Sequence, residues 1–269
     1  MSDRLVDREY LTGVQYASDV NLSARQAIYR FQQPAVRVSA WALDLAKLGG
    51  DERVADIGCG NGLHLAELRR REHRGVVTGM DLSPGMLAAA RSRAGSHVVL
   101  IAGDAQRLPF ADASFDCLLA MHMLYHVPDR DLAICEIRRA LRPGGVALAL
   151  TNSHHHLEEL NEMVGSVLHA ITGADPAALR AYLRFSSESG VEELQRHFSE
   201  VERHDARSEL VVTEVQPIVD YVASMGSVGT PIRGEAGPVL REVEQRVRAI
   251  IEAKGAFRIR TDVGCFVCH

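Results

Sequence analysis

The sequence predicts an α/β fold built on a parallel sheet, and three observations lead there. Short apolar runs alternate with helix-length amphipathic segments from about residue 51 to 151, each run is bounded by Gly, Pro, Asp or Asn, and a glycine-rich loop joins the first run to the first helix. A chain of 269 residues, 46% hydrophobic and 24% charged, is long enough for one such domain with a sizeable core and an appended cap.

The candidate strands, in order, are Arg53–Ile57, Val76–Met80, Val98–Ala102, Cys117–Met121 and Val146–Leu150. Between them the helix candidates are Gly62–Glu72, Pro84–Arg93 and Asp129–Leu141, the last with Ile134, Ile137 and Leu141 on one face. Arg142-Pro143-Gly144-Gly145 reads as a helix stop followed by a turn. Residues 1–48 read as mainly helical and residues 153–197 as helical insertions. Then follow a strand at Val201–Thr213, a helix at Glu214–Met225, a glycine-rich loop at Gly226–Gly237, a helix at Pro238–Lys254 and a final strand at Phe257–Val267. The Pro238–Lys254 helix carries Val239, Val243 and Val247 on one stripe, with Glu242/Arg246 and Glu244/Arg248 as i,i+4 pairs. The division expected is a helical N-terminal lid (1–48), a ligand-binding core (49–152), and cap insertions with closing strands (153–269).

Composition removes several functions. A net charge of −5 argues against nucleic acid, which calls for a basic face. No run approaches the roughly 18 apolar residues of a membrane span. Residues 1–10 hold five charged side chains and lack the apolar stretch of a signal peptide, so the cytoplasm is the expected compartment. The five cysteines do not form a disulfide framework, and Cys59, Cys117 and Cys135 sit inside hydrophobic runs. Cys265-x-x-Cys268-His269 spells a haem-attachment pattern but falls in the last strand, where Phe266 alternates with it. The sequence leaves room for a homo-oligomer.

The strongest local signal is Val54-Ala55-Asp56-Ile57-Gly58-Cys59-Gly60-Asn61-Gly62, a strand end that opens a helix. Its glycines permit a tight turn and close approach of a ligand to the backbone. A dinucleotide loop needs glycine at position 63, where this chain has Leu63, so the helix N-terminus is expected to hold the carboxylate of an amino-acid-like ligand. Asp81 ends the second strand, where a carboxylate can accept both hydroxyls of a ribose. Gly103-Asp104 ends the third, where a carboxylate can meet the exocyclic amine of adenine. Together these strand ends describe a site for an adenosine joined to an amino acid. Asp56 either touches that ligand or organises the loop.

On these residues the chain resembles the class I S-adenosylmethionine-dependent methyltransferases, in a small-molecule branch. The likeness runs through the loop, through Thr78-Gly79-Met80-Asp81-Leu82-Ser83-Pro84-Gly85-Met86-Leu87, and through Gly103-Asp104-Ala105-Gln106-Arg107-Leu108-Pro109-Phe110. It continues over Ser114-Phe115-Asp116 and Leu124-Tyr125-His126-Val127-Pro128-Asp129 and ends at Leu141-Arg142-Pro143-Gly144-Gly145. It implies a seven-stranded Rossmann-like sheet with the last strand antiparallel, and S-adenosyl-L-methionine as cofactor. Cofactor contacts are expected from Asp56, Gly58, Gly60, Asp81, Leu82, Met86, Gly103, Asp104, Ala105 and Met121, the last through its backbone.

The acceptor side is chosen by the segments outside the likeness. In open α/β sheets it lies at the carboxyl ends of the strands, which points to His122, Tyr125 and His126 after the fourth strand. Asn152 and His154–His156 follow the fifth. Histidine suits base work near neutral pH. His122, His126 and His154 are therefore the candidates for taking a proton from an oxygen or nitrogen acceptor. No metal is expected, because successive histidines cannot all face one ion. Tyr16, Arg25, Tyr29 and Arg30 could close over the cofactor, an arginine pairing its carboxylate, or could simply pack. The expected function is methyl transfer to a small-molecule acceptor at O, N or C, in natural-product biosynthesis. An RNA or protein methyltransferase and a non-catalytic cofactor-binding scaffold are the alternatives.

Overall fold

The computed structural model describes residues 4–173, 175, 184–225 and 236–269. Most of the glycine-rich loop expected at 226–237 therefore lies outside the described residues, as does part of the 153–197 insertion.

The parallel sheet starts where the apolar runs are. Strands β2 (Val54–Ile57), β3 (Val77–Asp81), β4 (Val99–Ala102), β5 (Phe115–Met121) and β6 (Leu141–Asn152) pair in parallel around β2. Strands β7 (Val201–Val212) and β8 (Phe257–Cys268) extend the sheet beyond β6, with β8 antiparallel to both neighbours. These seven are the expected ones. An eighth, the two-residue β1 (Gln32–Gln33), comes from the N-terminal segment and pairs with Leu210 and Glu209 of β7. The full order is β1-β7-β8-β6-β5-β2-β3-β4.

Near-continuous burial along β2 and β5 reflects cover on both faces. Ala55, Leu118 and Ala120 face helix α6 (Arg130–Ala140) through Ile134 and Ile137, along with Phe185 and Phe266. Val54, Cys117 and Leu119 face the other layer, made by α3 (Val38–Leu45), α4 (Leu63–Arg70) and α5 (Pro84–Ala94). A third cluster under the cap joins α7 (Glu158–Thr172), α9 (Gln216–Ser224) and α10 (Ala236–Lys254) to Ile28 and the far ends of β7 and β8. In it the Val239/Val243/Val247 stripe is fully buried. Both i,i+4 pairs on α10 form, Glu242–Arg246 at 2.7 Å and Glu244–Arg248 at 2.8 Å.

The helix starts follow local rules. Ser83 caps α5, its hydroxyl accepting from Met86 N–H at 3.2 Å with Pro84 in the first turn, and Asp129 caps α6 through Leu132 N–H at 3.0 Å. Two local readings change. After α6 the chain has no separate turn: it enters β6 at Leu141, and Pro143-Gly144-Gly145 becomes an irregularity between the Phe115↔Leu141 and Cys117↔Val146 pairings, with Gly144 at φ +75°. Cys135 is exposed on α6, because the buried stripe of that helix passes through Ile134 and Ile137 instead. Cys265 and Cys268 are buried in β8, which is covered on both faces there. No helix among the described residues is long and apolar enough to cross a membrane.

Candidate active site

A cavity of about 760 Å³ opens over the carboxyl ends of β2, β3, β5 and β6, a volume within the range of small-molecule sites. At one end the glycine loop turns out of β2, with Gly58 at φ +69° and Gly60 at φ +52°, conformations that suit glycine. Asp81 stands beside it. Its carboxylate accepts Gly60 N–H at 2.8 Å and Ser83 N–H at 2.9 Å, so both oxygens are fixed while lone pairs remain for a ligand. Burial raises its pKa above the usual carboxylate value. Leu82, Met86, Gly103, Asp104, Ala105 and Met121 line the same cavity.

Asp56 does not line it. The residue is completely buried in β2, and neither carboxylate oxygen has a hydrogen-bond partner among the described residues. Burial, helped by the charge of Asp81, pushes its pKa well up. Asp104 is at the wall, but an oxygen of its carboxylate is taken by the Arg8 guanidinium and the other accepts Gln106 N–H at 3.0 Å. An adenine amine must share that first oxygen with Arg8 or displace it.

The N-terminal segment forms the roof. Helix α2 (Val20–Ala27) lies on the glycine loop, where Gln26 and Asn61 exchange side-chain hydrogen bonds at 3.1 and 3.4 Å. Tyr16 is anchored at both ends. Its carbonyl accepts from the Ser83 hydroxyl at 2.7 Å, and its own hydroxyl meets His126 Nε2 at 2.9 Å. His126 Nδ1 donates to Leu5 O at 2.8 Å, so Nε2 carries the lone pair and accepts from Tyr16. Both ring nitrogens of His126 are thus committed to the roof, which leaves none for an acceptor. Arg25 donates to Ser224 O at 2.8 Å and keeps a buried Nη2 with no hydrogen-bond partner among the described residues. Arg30 does not take part: it is exposed, pairs with Glu214 at 2.7 Å and lies outside the cavity. The helix α2 register explains the exchange, since Arg25 faces inward on its last turn while Arg30 follows the turn that leads to β1.

The other end of the cavity holds histidines. His122 leaves β5 with a positive φ of +56° and donates its backbone N–H to Leu150 O at 2.8 Å. Burial pushes its pKa down to about 4, so it is neutral at ordinary pH. His154 is exposed beyond the cavity, its backbone N–H bound to Glu188 at 3.1 Å. Of that run only His156 turns inward: it is buried, with Nε2 2.8 Å from the hydroxyl of Tyr29, a residue of the cavity wall. The inner residue the sequence reading missed is His64, the second residue of α4, which lines the cavity. Its signal was its place just past Gly62, on the same sheet edge as His122. No group of three or more His, Cys, Asp or Glu among the described residues could hold a metal.

Residues 55–149 match the family model described as a methyltransferase domain. They form a methyltransferase domain. The chain is similar to malonyl-[acyl-carrier protein] O-methyltransferase of Serratia marcescens, 38% identical over 111 residues, which are 41% of this chain and 42% of that protein. It is also similar to 27-O-demethylrifamycin SV methyltransferase of Amycolatopsis mediterranei, 34% identical over 119 residues, 42% of this chain and 43% of that one. The chain thus matches less than half the length of either curated relative. Across a wider span the fold is that of phospholethanolamine N-methyltransferase 2 of Haemonchus contortus, solved with S-adenosylhomocysteine, at TM-score 0.59 and 20% identity over 98% of this chain and 59% of that one.

S-adenosylmethionine is the cofactor of this methyltransferase domain, and the residues present fit it. Asp81 offers a fixed carboxylate at the ribose position, and the unpartnered Nη2 of Arg25 suits a carboxylate.

The roof gives a prediction about acid. Burial holds His126 at a pKa of about 4, below its ordinary 6.5. As pH falls the unfolded chain takes up this proton first, so the stabilisation is complete above pH 6.5 and is lost between 6.5 and 4. His126→Gln is expected to reduce the slope of stability against pH in that window by up to about 1.4 kcal/mol per pH unit. Urea melts at a series of pH values measure it, and an unchanged slope would count against the buried neutral ring.

Proposed function

We propose that the whole chain transfers a methyl group from S-adenosylmethionine to a small-molecule acceptor, at oxygen or nitrogen, within natural-product biosynthesis in the cytoplasm. The observation that carries this reading is that one continuous cavity joins the glycine loop and Asp81 at one end to His122 at the other. The printed functions of the two relatives, one acting on a carrier-bound malonyl group and one on a rifamycin, support a small acceptor. The chain's net charge of −5 argues against a nucleic acid.

In this reading residues 49–152 hold the cofactor, residues 1–48 close over it, and residues 153–269 complete the wall that selects the acceptor. Gly58, Gly60, Asp81, Leu82, Met86, Gly103, Asp104, Ala105 and Met121 bind the cofactor, and Tyr16 and Arg25 cover it. When bound, S-adenosylmethionine supplies a methyl group on a sulfonium, an electrophile with a good leaving group. The acceptor atom forms the new bond to carbon as the carbon–sulfur bond breaks. His122 takes the acceptor's proton on a ring nitrogen. The positive charge lost at sulfur reappears on that imidazole, so the buried site never carries both.

Incubation of the protein and methyl-labelled cofactor with fractionated cell extract tests this. Label is expected in an organic-extractable small molecule. Label in RNA or protein, or tight cofactor binding with no transfer, would replace the reading with one of the two alternatives.

A further inference from the structure

Three neighbouring strands bring polar side chains to the acceptor end of the cavity, and the register of the sheet sets them in a row. His122 follows β5 and binds Leu150 O of β6 through its backbone N–H at 2.8 Å. Asn152 lies two residues beyond Leu150, on the same face of β6, and both line the cavity. Val263 of β8 stands directly opposite Asn152 and lines it too. Two residues before Val263, the Thr261 hydroxyl accepts from Gln32 Nε2 at 3.3 Å, which fixes the Gln32 amide over β8. Adjacent strands run about 4.8 Å apart, so a ligand on the order of 10 Å long reaches all three side chains.

Asn152 is the centre of the row. Its backbone carbonyl accepts Ser187 N–H at 3.0 Å, but its carboxamide makes no hydrogen bond among the described residues. The residue is half-buried, and neither amide atom is sealed from solvent. The His122 ring is likewise open and without a hydrogen bond among the described residues. Gln32 is 8% exposed, and its Oε1 is left over once Nε2 is bound to Thr261. An acceptor that fills this end strips water from these groups and must replace its hydrogen bonds or bind weakly. A carboxamide both donates and accepts without charge, so it matches a neutral hydroxyl or carbonyl oxygen. Charge is present as well, but farther out. Arg70 ends α4, about 10 Å along that helix from the glycine loop, and forks onto Glu67 at 2.8 and 2.6 Å. Arg37 lies 3.7 Å from the same carboxylate, and both arginine side chains are more than half exposed, which puts them at the rim.

We propose that Asn152 is an acceptor-binding residue. Beside His122, which takes the proton of the atom methylated, its amide holds a second, neutral oxygen of the acceptor one or two carbons away. Gln32 and Ser39 add further uncharged polar contacts to the cavity, so the acceptor class is a polyoxygenated, uncharged molecule. The inference rests on the methyl-transfer reading and adds to it the acceptor class and a residue that selects it.

The test uses the full chain saturated with S-adenosylhomocysteine and four probes of similar shape: 2-naphthol, 2,3-dihydroxynaphthalene, 1,3-dihydroxynaphthalene and 3-hydroxy-2-naphthoate. Calorimetry is expected to show at least one diol binding about tenfold more tightly than 2-naphthol, and more tightly than the hydroxynaphthoate. Asn152→Leu is expected to cut that ratio to below about threefold while 2-naphthol and S-adenosylhomocysteine affinities hold, a split that a merely structural role would not produce. Asn152→Ala, smaller than leucine, gives the same readout where crowding unfolds the first variant. Diols no tighter than 2-naphthol, no probe binding to the loaded protein, or a ratio unchanged in a folded Asn152 variant would each overturn the proposal. So would strongest binding by 3-hydroxy-2-naphthoate, which would hand the second contact to Arg37 and Arg70. Failure of S-adenosylhomocysteine to bind the wild-type protein would instead remove the methyltransferase reading, and this inference with it.

Discussion

Replacing His122 by alanine is expected to lower kcat about a hundredfold while leaving cofactor affinity nearly unchanged, the size of a typical general-base contribution. The side chain lies at the acceptor end of the cavity, away from the ribose position at Asp81, and its backbone is pinned to Leu150 at the end of two paired strands. With its pKa held down to about 4, the ring is unprotonated at ordinary pH but a weaker base than a free imidazole. It takes the proton as the acceptor's new bond forms and that proton becomes acidic. The effect should therefore fall on kcat across a pH series on the true acceptor. A His122→Ala enzyme with near-normal kcat would mean that positioning alone drives transfer, or that Tyr29 and His156 move the proton instead.

Asp81→Ala is expected to weaken S-adenosylmethionine binding by roughly 2–3 kcal/mol, through loss of a charge-assisted pair of hydrogen bonds to the ribose. Part of that loss will come through the loop, since the same carboxylate fixes Gly60 and Ser83. Asp81→Asn separates the two parts: its amide oxygen can still hold one backbone N–H, but it brings no charge to the ribose. Calorimetry should place Asn between wild type and Ala, and unchanged affinity in a folded Ala variant would end the assignment.

The core was legible because its signals are local. Each buried parallel strand is a short apolar run with a turn residue at its end, and the glycine loop and Asp81 stand at fixed offsets from those ends. All but two of the residues expected to bind cofactor line the cavity, the exceptions being Asp56, which sits beneath it, and Arg30, which points away. The errors arise where contacts are distant in sequence. Which arginine of the roof turns inward depends on Ser224, and which histidine of the 154–156 run does so depends on Tyr29 and Asp262. His64 was missed because helical position alone does not reveal which residue of the first turn of α4 reaches the cavity wall. The eighth strand has no apolar pattern: Gln32 and Gln33 become a strand only because the edge of β7 is there to pair with them.

The roof over the cavity also bears on how the chain is made. Gln15 and Arg25 bond to the carbonyl of Ser224, 209 and 199 residues later in the sequence, and β1 needs β7. At a ribosomal rate of about 5–20 residues per second, a nascent segment waits on the order of 10–40 s for partners so far downstream. For most of that interval Ile28, fully enclosed in the finished cap cluster, lacks the residues beyond 156 that complete the cluster. The methyltransferase core, residues 55–149, is synthesised within the wait and can close its own strands first. Translation order thus makes the roof a late addition to a sheet already formed, and makes this segment the one most in need of shielding while the chain is being synthesised.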